Sequence, residues 1–96
     1  MAFGIILAFP SGLGEAEYDA VNATIGWNPR TDEGDHPAGL QSHTAGTSPE
    51  GWIVVEVWDS KDAQAAFLES RLGPALAGLP ELSVTWFDVV ASQHSH

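Results

Sequence analysis

Two short stretches of the chain, Phe3-Gly4-Ile5-Ile6-Leu7-Ala8-Phe9 and Ile53-Val54-Val55-Glu56-Val57-Trp58, are apolar at nearly every position. A strand with one face in water alternates apolar and polar residues, whereas a strand covered on both faces reads as a continuous apolar run. These segments therefore belong at the centre of a sheet that must be covered on both sides. Val84-Thr85-Trp86-Phe87-Asp88-Val89-Val90 has largely the same character. With 96 residues there is room for one domain and for helices on one face only. The other face would expose Trp and Val side chains over a larger area than a monomer tolerates. The expected partner is a second copy of the chain, laying its own sheet against the first.

The segments between the strands supply the order. After a strand over 2–9 and a Pro-Ser-Gly turn, Tyr18, Val21 and Ile25 recur at helical spacing. Glu15, Glu17 and Asp19 favour the N-terminal end of that helix, and Gly26 ends it. Residues 27–39 are rich in Pro, Gly and acids and read as a long surface loop. A short strand over 40–45, a hairpin loop over 46–51 and the strand 53–59 follow. Ser60 caps a second helix, which Gly73-Pro74 interrupts and which ends near 78–80. The last strand spans 82–91. The polar tail, 92–96, is expected to be loose, leaving 1–91 as the domain. The order βαββαβ predicts a ferredoxin-like α+β fold: a four-stranded antiparallel sheet in the order 4-1-3-2, with both helices on one face.

Charge narrows the partners. Three basic residues stand against thirteen acidic ones, a formal net charge of −10. Such a chain has little with which to neutralise phosphates, so nucleic acid, anionic membranes and polyphosphate cofactors are disfavoured. A small apolar or aromatic organic ligand is the easier partner. The apolar start lacks a basic flank and stops at Pro10, so it reads as a strand rather than a leader. No apolar run approaches the roughly 20 residues needed to span a bilayer. The absence of cysteine excludes disulfides and thiolate chemistry and suits a cytoplasmic location.

Candidate chemistry lies on the hairpin. Side chains alternate along a strand, separating Ile53, Val55 and Val57 from Trp52, Val54, Glu56 and Trp58. The aliphatic set is expected against the helices and the Trp-Glu set against the partner sheet. A hairpin that opposes Ala45 with Trp52 places His43 opposite Val54 and Gln41 opposite Glu56. Gln41, His43, Trp52, Glu56 and Trp58 then share a wall. Glu56 is an acid in the middle of an apolar strand, where it must be hydrogen-bonded or protonated. His43 titrates near neutral pH. Together they form a candidate general acid/base pair, and a purely structural hydrogen bond is the alternative. Trp52, Trp58 and Trp86 are candidates to line a pocket, although packing is the commoner use of Trp. Asp88 is a weaker candidate, and Arg71 is expected to pair with nearby acids. No metal site is expected: His36 in the acidic loop and His94-x-His96 match no recognised ligand spacing. There is no phosphate-binding glycine motif and no nucleophile elbow.

His43-Thr44-Ala45-Gly46, the run from Gly51-Trp52 through Asp59-Ser60, Phe67, and Arg71-Leu72-Gly73-Pro74-Ala75-Leu76 resemble small actinobacterial members of the dimeric α/β-barrel superfamily. That group contains antibiotic-biosynthesis monooxygenases, small polyketide cyclases and haem-degrading enzymes. The resemblance covers nearly the whole chain. It implies a ligand cavity in each subunit, between sheet and helices or at the barrel mouth. It also implies cofactor-free oxygenation of a phenolic substrate, or an aldol-type cyclisation or dehydration of a polyketide. A non-catalytic ligand-binding or stress-associated homodimer is the alternative. The Asn/Trp/Arg set of quinone-forming monooxygenases is not identifiable, and no histidine is placed as a haem ligand, so no cofactor is expected.

Overall fold

The computed structural model describes residues 2–91. Its elements run β1 (Phe3–Ala8), α1 (Glu15–Ile25), β2 (Trp27–Asn28), β3 (Glu33–Gly34), β4 (Leu40–Ser48), β5 (Gly51–Trp58), α2 (Lys61–Phe67), a π-helical turn (Leu68–Leu72), α3 (Gly73–Leu76) and β6 (Ser83–Asp88). The main sheet has the order β4-β5-β1-β6, all antiparallel, so the two apolar runs take the central places. This is the expected ferredoxin-like arrangement. The tail 92–96 lies outside the described residues. Among the described residues no helix is long and apolar enough to cross a membrane.

Local chemistry sets the element ends. Gly26 takes a left-handed conformation, φ 89°, and its N–H donates to the Asn22 carbonyl, closing α1. Ser60 Oγ accepts the Ala63 N–H at 3.1 Å, opening α2. Gly73-Pro74 does not break the second helix outright. The backbone widens into the π turn and then restarts as α3, with Pro74 in its first turn, where no N–H is needed.

The loop over 27–39 carries a small hairpin of its own, β2 paired with β3, which composition alone does not reveal. Gly34 is obligatory there. Its φ is +95°, and a Cβ would lie 2.2 Å from the Gly26 carbonyl oxygen.

The faces of β5 are the reverse of the sequence expectation. Val54, Glu56 and Trp58 are buried on the helix side with Phe3, Ile5 and Leu7, while Ile53, Val55 and Val57 are half-buried on the open face. The reason is volume. Bulky rings fill the gap between sheet and helices, Trp58 meeting Phe67 of α2 with ring centroids 5.3 Å apart. Short β-branched side chains leave the open face flat, where Ile6 and a 41 % exposed Phe87 join them.

The hairpin register also differs. β4 extends to Ser48, leaving only Pro49-Glu50 as the turn, so Thr47 opposes Trp52, Ala45 opposes Val54 and His43 opposes Glu56. A shift of two residues keeps every side chain on its face and brings His43 directly beside Glu56. A β-bulge between Leu40 and Ser42 turns Gln41 outward. Leu40 and His43, three residues apart, consequently face the same way.

Candidate functional site

Four side chains form a continuous hydrogen-bonded series beneath α1. Trp58, fully buried, donates its Nε1–H to Glu56 Oε1 at 3.1 Å. Glu56 Oε2 lies 2.6 Å from His43 Nδ1, and His43 Nε2 lies 2.5 Å from the Tyr18 hydroxyl. The sheet supplies the first three and α1 the fourth. Glu56 is only 5 % exposed, and N–H groups on both oxygens compensate the loss of water. The indole is a donor only, which makes Glu56 an acceptor. With Glu56 also accepting from Nδ1–H, His43 presents an unprotonated Nε2 that accepts the Tyr18 O–H.

Burial pushes the Tyr18 hydroxyl above its usual range. The Asn22 side chain and the Arg30 charge offset this in part, and the Glu56 and Asp19 charges add to it. Tyr18 is therefore held as a neutral phenol. Two buried donors nearby have no partner among the described residues: Trp52 Nε1 and Asn22 Nδ2. The Trp52 ring lies 5.2 Å from that of Tyr18, and Asn22 is one turn along α1 from it. The Asn22 amide eases the phenol toward its usual range without reaching it in normal hydrogen-bond geometry. Unmet donors beside a phenol suit an acceptor oxygen on a bound molecule.

Tyr18, His43 and Glu56 line a cavity of about 30 Å³ between sheet and helices, walled also by Leu7, Trp27 and Leu72. That is room for one or two water molecules. A cleft of about 290 Å³ bordered by Glu15, Arg30 and Trp52 reaches Tyr18 and His43 from outside. Arg30 bridges Glu15 at 2.8 Å and Asp19 at 2.5 Å and lies 5.8 Å from the centre of the Tyr18 ring.

Trp27 forms the remaining wall, its ring edge-on to His43 at 5.4 Å and to His36 at 5.2 Å. Asp32 holds it: Oδ1 accepts Trp27 Nε1–H at 2.7 Å and lies 2.8 Å from His36 Nδ1. Asp32 is a non-glycine residue at φ 60°, an uncommon conformation that its side-chain bonds support. His36 Nε2 meets the Leu40 carbonyl at 3.1 Å, so both ring nitrogens face acceptors and the imidazolium fits best. Its pKa is raised above 6.5, chiefly by the Asp32 hydrogen bond and then by the Leu40 carbonyl. The Asp32 pKa is lowered below 3.8, chiefly by His36 and then by Trp27.

These shifts have a definite sign. The His36 tie is complete below pH 6.5 and is lost as pH rises through the raised value. The Asp32 tie is complete above pH 3.8 and is lost as pH falls through the lowered value. Both groups are exposed, so the effect is local rather than on global stability. The Trp27 indole N–H resonance is expected to hold steady from pH 4 to 6.5 and to shift at higher pH. His36→Gln is expected to abolish that upper transition, and an unchanged transition in the variant would mean that another group controls the loop.

The structure brings together His43 and Glu56, with Trp52 at the mouth, although on the helix side of the sheet. Gln41 leaves the group; it is exposed and donates to Asp59 at 2.5 Å. Trp58 does not line that cavity and instead braces Glu56. Trp86, 47 % exposed on the edge strand, stacks on Phe3 away from His43. Asp88 is exposed on the same strand. Arg71 meets Asp35 at 3.7 Å and donates to the carbonyls of Ile25 and Asp35. Tyr18 and Asn22 were not singled out as site residues from the sequence, and Trp27 stood out only as one of four tryptophans able to line a pocket. The available signal was that the single Tyr, on an apolar helix stripe, still needs a partner for its hydroxyl. No group of three His, Cys, Asp or Glu side chains among the described residues could hold a metal. His94 and His96 lie outside the described residues.

No family model and no curated protein matches the sequence. Solved structures do match over almost the entire chain. A proposed antibiotic biosynthesis monooxygenase from Chloroflexus aurantiacus is 18 % identical, with a TM-score of 0.69 and 98 % of each chain covered. SnoaB, a cofactor-independent oxygenase from Streptomyces nogalater, is 18 % identical, with a TM-score of 0.63 and 95 % of each chain covered. The heme-degrader MhuD from Mycobacterium tuberculosis is 21 % identical at 0.57, covering 98 % of this chain and 100 % of its own. One backbone thus carries different chemistries, and likeness at this level fixes the architecture alone. The chain shares the ferredoxin-like α+β fold of these solved structures.

Proposed function

We propose that the chain is a small-molecule enzyme in which Tyr18, backed by His43 and Glu56, moves a proton on a bound carbonyl compound. The observation that carries this reading is the unbroken series from Trp58 to the Tyr18 hydroxyl, ending where the outer cleft begins. A phenol with a raised pKa is a poor base by itself. Coupled to His43 it becomes an effective one: as the hydroxyl takes a proton from the substrate carbon, its own proton passes to Nε2. Glu56 stabilises the imidazolium so formed. The C–H electron pair becomes the enolate double bond, and the carbonyl π pair moves to oxygen. That oxygen accepts from Asn22 Nδ2 and Trp52 Nε1.

The test is carbon-bound hydrogen exchange in D₂O. Simple ketones and 1,3-diketones incubated with the protein are expected to lose their α-proton signals faster than the buffer control. Binding without exchange would move the assignment to a non-catalytic ligand-binding dimer. A second reading, supported by the likeness to SnoaB, is oxygenation without a cofactor. The same deprotonation would yield a carbanion that molecular oxygen oxidises, and oxygen consumption with an electron-rich phenol or enol distinguishes it. An aldol-type cyclisation or dehydration would share the first proton transfer.

We also infer a homodimer through the open sheet face, where Ile6, Ile53, Val55, Val57 and Phe87 lie half-buried or exposed. A flat aliphatic surface of this kind suits face-to-face packing of two sheets about 10 Å apart. Sedimentation is expected to give a dimer for the native chain and a monomer for Val55→Asp. A dimer that survives this charge would place the interface elsewhere.

A further inference from the structure

A second cleft, of about 290 Å³, opens between the helix side of β6 and the π turn. Its walls are mostly leucines from the second helical segment and the loop after it, faced by Val84 and Trp86 of the edge strand, and Gln64 and Glu81 add two polar groups to the lining. Leu68 and Leu72, at the two ends of the π turn, both line it. The turn is built to stay wide: a Cβ at Gly73 would lie 2.8 Å from the Leu68 carbonyl oxygen. Such π turns recur at functional sites.

The cleft shares a wall with the acid/base cavity. Leu7, Leu72, Leu76 and Leu82 line both, while Tyr18 and His43 border both that cavity and the polar outer cleft. The polar mouth, the phenol and the leucine-rich cleft therefore lie in succession, divided only by side chains that line two of these spaces at once. The cavity between them is only about 30 Å³, a space that a slender methylene chain enters more readily than a fused ring system. The head it favours is neutral. The Arg30 guanidinium at the mouth is already engaged by Glu15 and Asp19, so a ligand carboxylate would meet Glu56 without a cation to balance it. The unmet Trp52 and Asn22 donors call for an acceptor oxygen.

We propose that this cleft is the tail site for a straight-chain aliphatic carbonyl compound whose carbonyl reaches Tyr18. The assignment rests on the acid/base reading for its head and on the leucine cleft for its tail, and the two are tested separately. Calorimetry of the native protein with 2-alkanones of increasing length is expected to give a Kd that tightens about fourfold per added methylene until the cleft is filled. Acetonaphthone, a flat aromatic ketone, is expected to bind more weakly than an alkanone of equal carbon number. Leu68 is 38 % and Val84 45 % exposed, so Leu68→Asp and Val84→Asp should fold, with circular dichroism as the control. Each is expected to flatten the length dependence while leaving the shortest ketone's Kd unchanged. A Kd independent of chain length, tighter binding of acetonaphthone, or an undiminished slope in both variants would overturn the tail site. Hydrogen exchange on acetone, which has no tail, reads the acid/base proposal alone.

Discussion

Tyr18→Phe and His43→Ala are each expected to lower α-hydrogen exchange by about 10²–10⁴-fold, the usual contribution of a positioned proton-transfer group. The two variants fail for different reasons, and that difference is the stronger test. Phenylalanine keeps the ring packed against Trp52 and His43 but removes the hydroxyl, so His43 Nε2 loses its donor. Ligand affinity should change little, because Asn22 and Trp52 still offer their donors. Alanine at position 43 removes the acceptor of the phenolic proton and the cationic state that Glu56 stabilises, while leaving Glu56 with Trp58 as its remaining donor. Added imidazole is expected to restore part of the exchange in His43→Ala and none in Tyr18→Phe. Equal activity in the native protein and Tyr18→Phe would remove the phenol from the chemistry and leave His43 as the direct base.

The fold was legible because its signals are local and redundant. Continuous apolar runs mark β1 and β5, Ser60 and Gly26 mark helix ends, and the element order then leaves few topologies. The pairing of His43 with Glu56 was legible only in part. Alternation places both residues on one side of the hairpin, but which side depends on the volume between sheet and helices. Trp52, Trp58 and Phe67 determine that volume jointly, and no single segment records it. The bulge that expels Gln41 has no marker in Leu40-Gln41-Ser42, where no glycine signals it. Tyr18 meets His43 across 25 positions of sequence, and Trp27 reaches the site only because Asp32 and His36 fold the loop back onto it. Contacts between distant segments of this kind leave no period or spacing to read.

Glu56→Gln is expected to abolish exchange about as completely as His43→Ala, yet to leave the fold nearly as stable as the native one. The amide is isosteric with the carboxylate, and its carbonyl oxygen can still accept the Trp58 indole N–H. Its NH₂ group must then face His43 Nδ1. A donor at that position forces the imidazole into the tautomer protonated on Nε2, which points a hydrogen at the Tyr18 hydroxyl and can no longer accept its proton. The loss would come from the wrong tautomer and an unstabilised imidazolium, not from missing packing. Glu56→Ala differs in kind. It leaves the Trp58 and His43 N–H groups without partners in the core and opens a void, at a cost of about 3 kcal/mol or more. For a domain of this size that lowers Tm by at least about 12 °C. Nitrogen-15 shifts of His43 separate the two cases, with the protonated nitrogen moving from Nδ1 to Nε2 in Glu56→Gln. If Glu56→Gln retains exchange while Glu56→Ala merely unfolds, Glu56 is a structural anchor for His43, and the proton series ends at the imidazole.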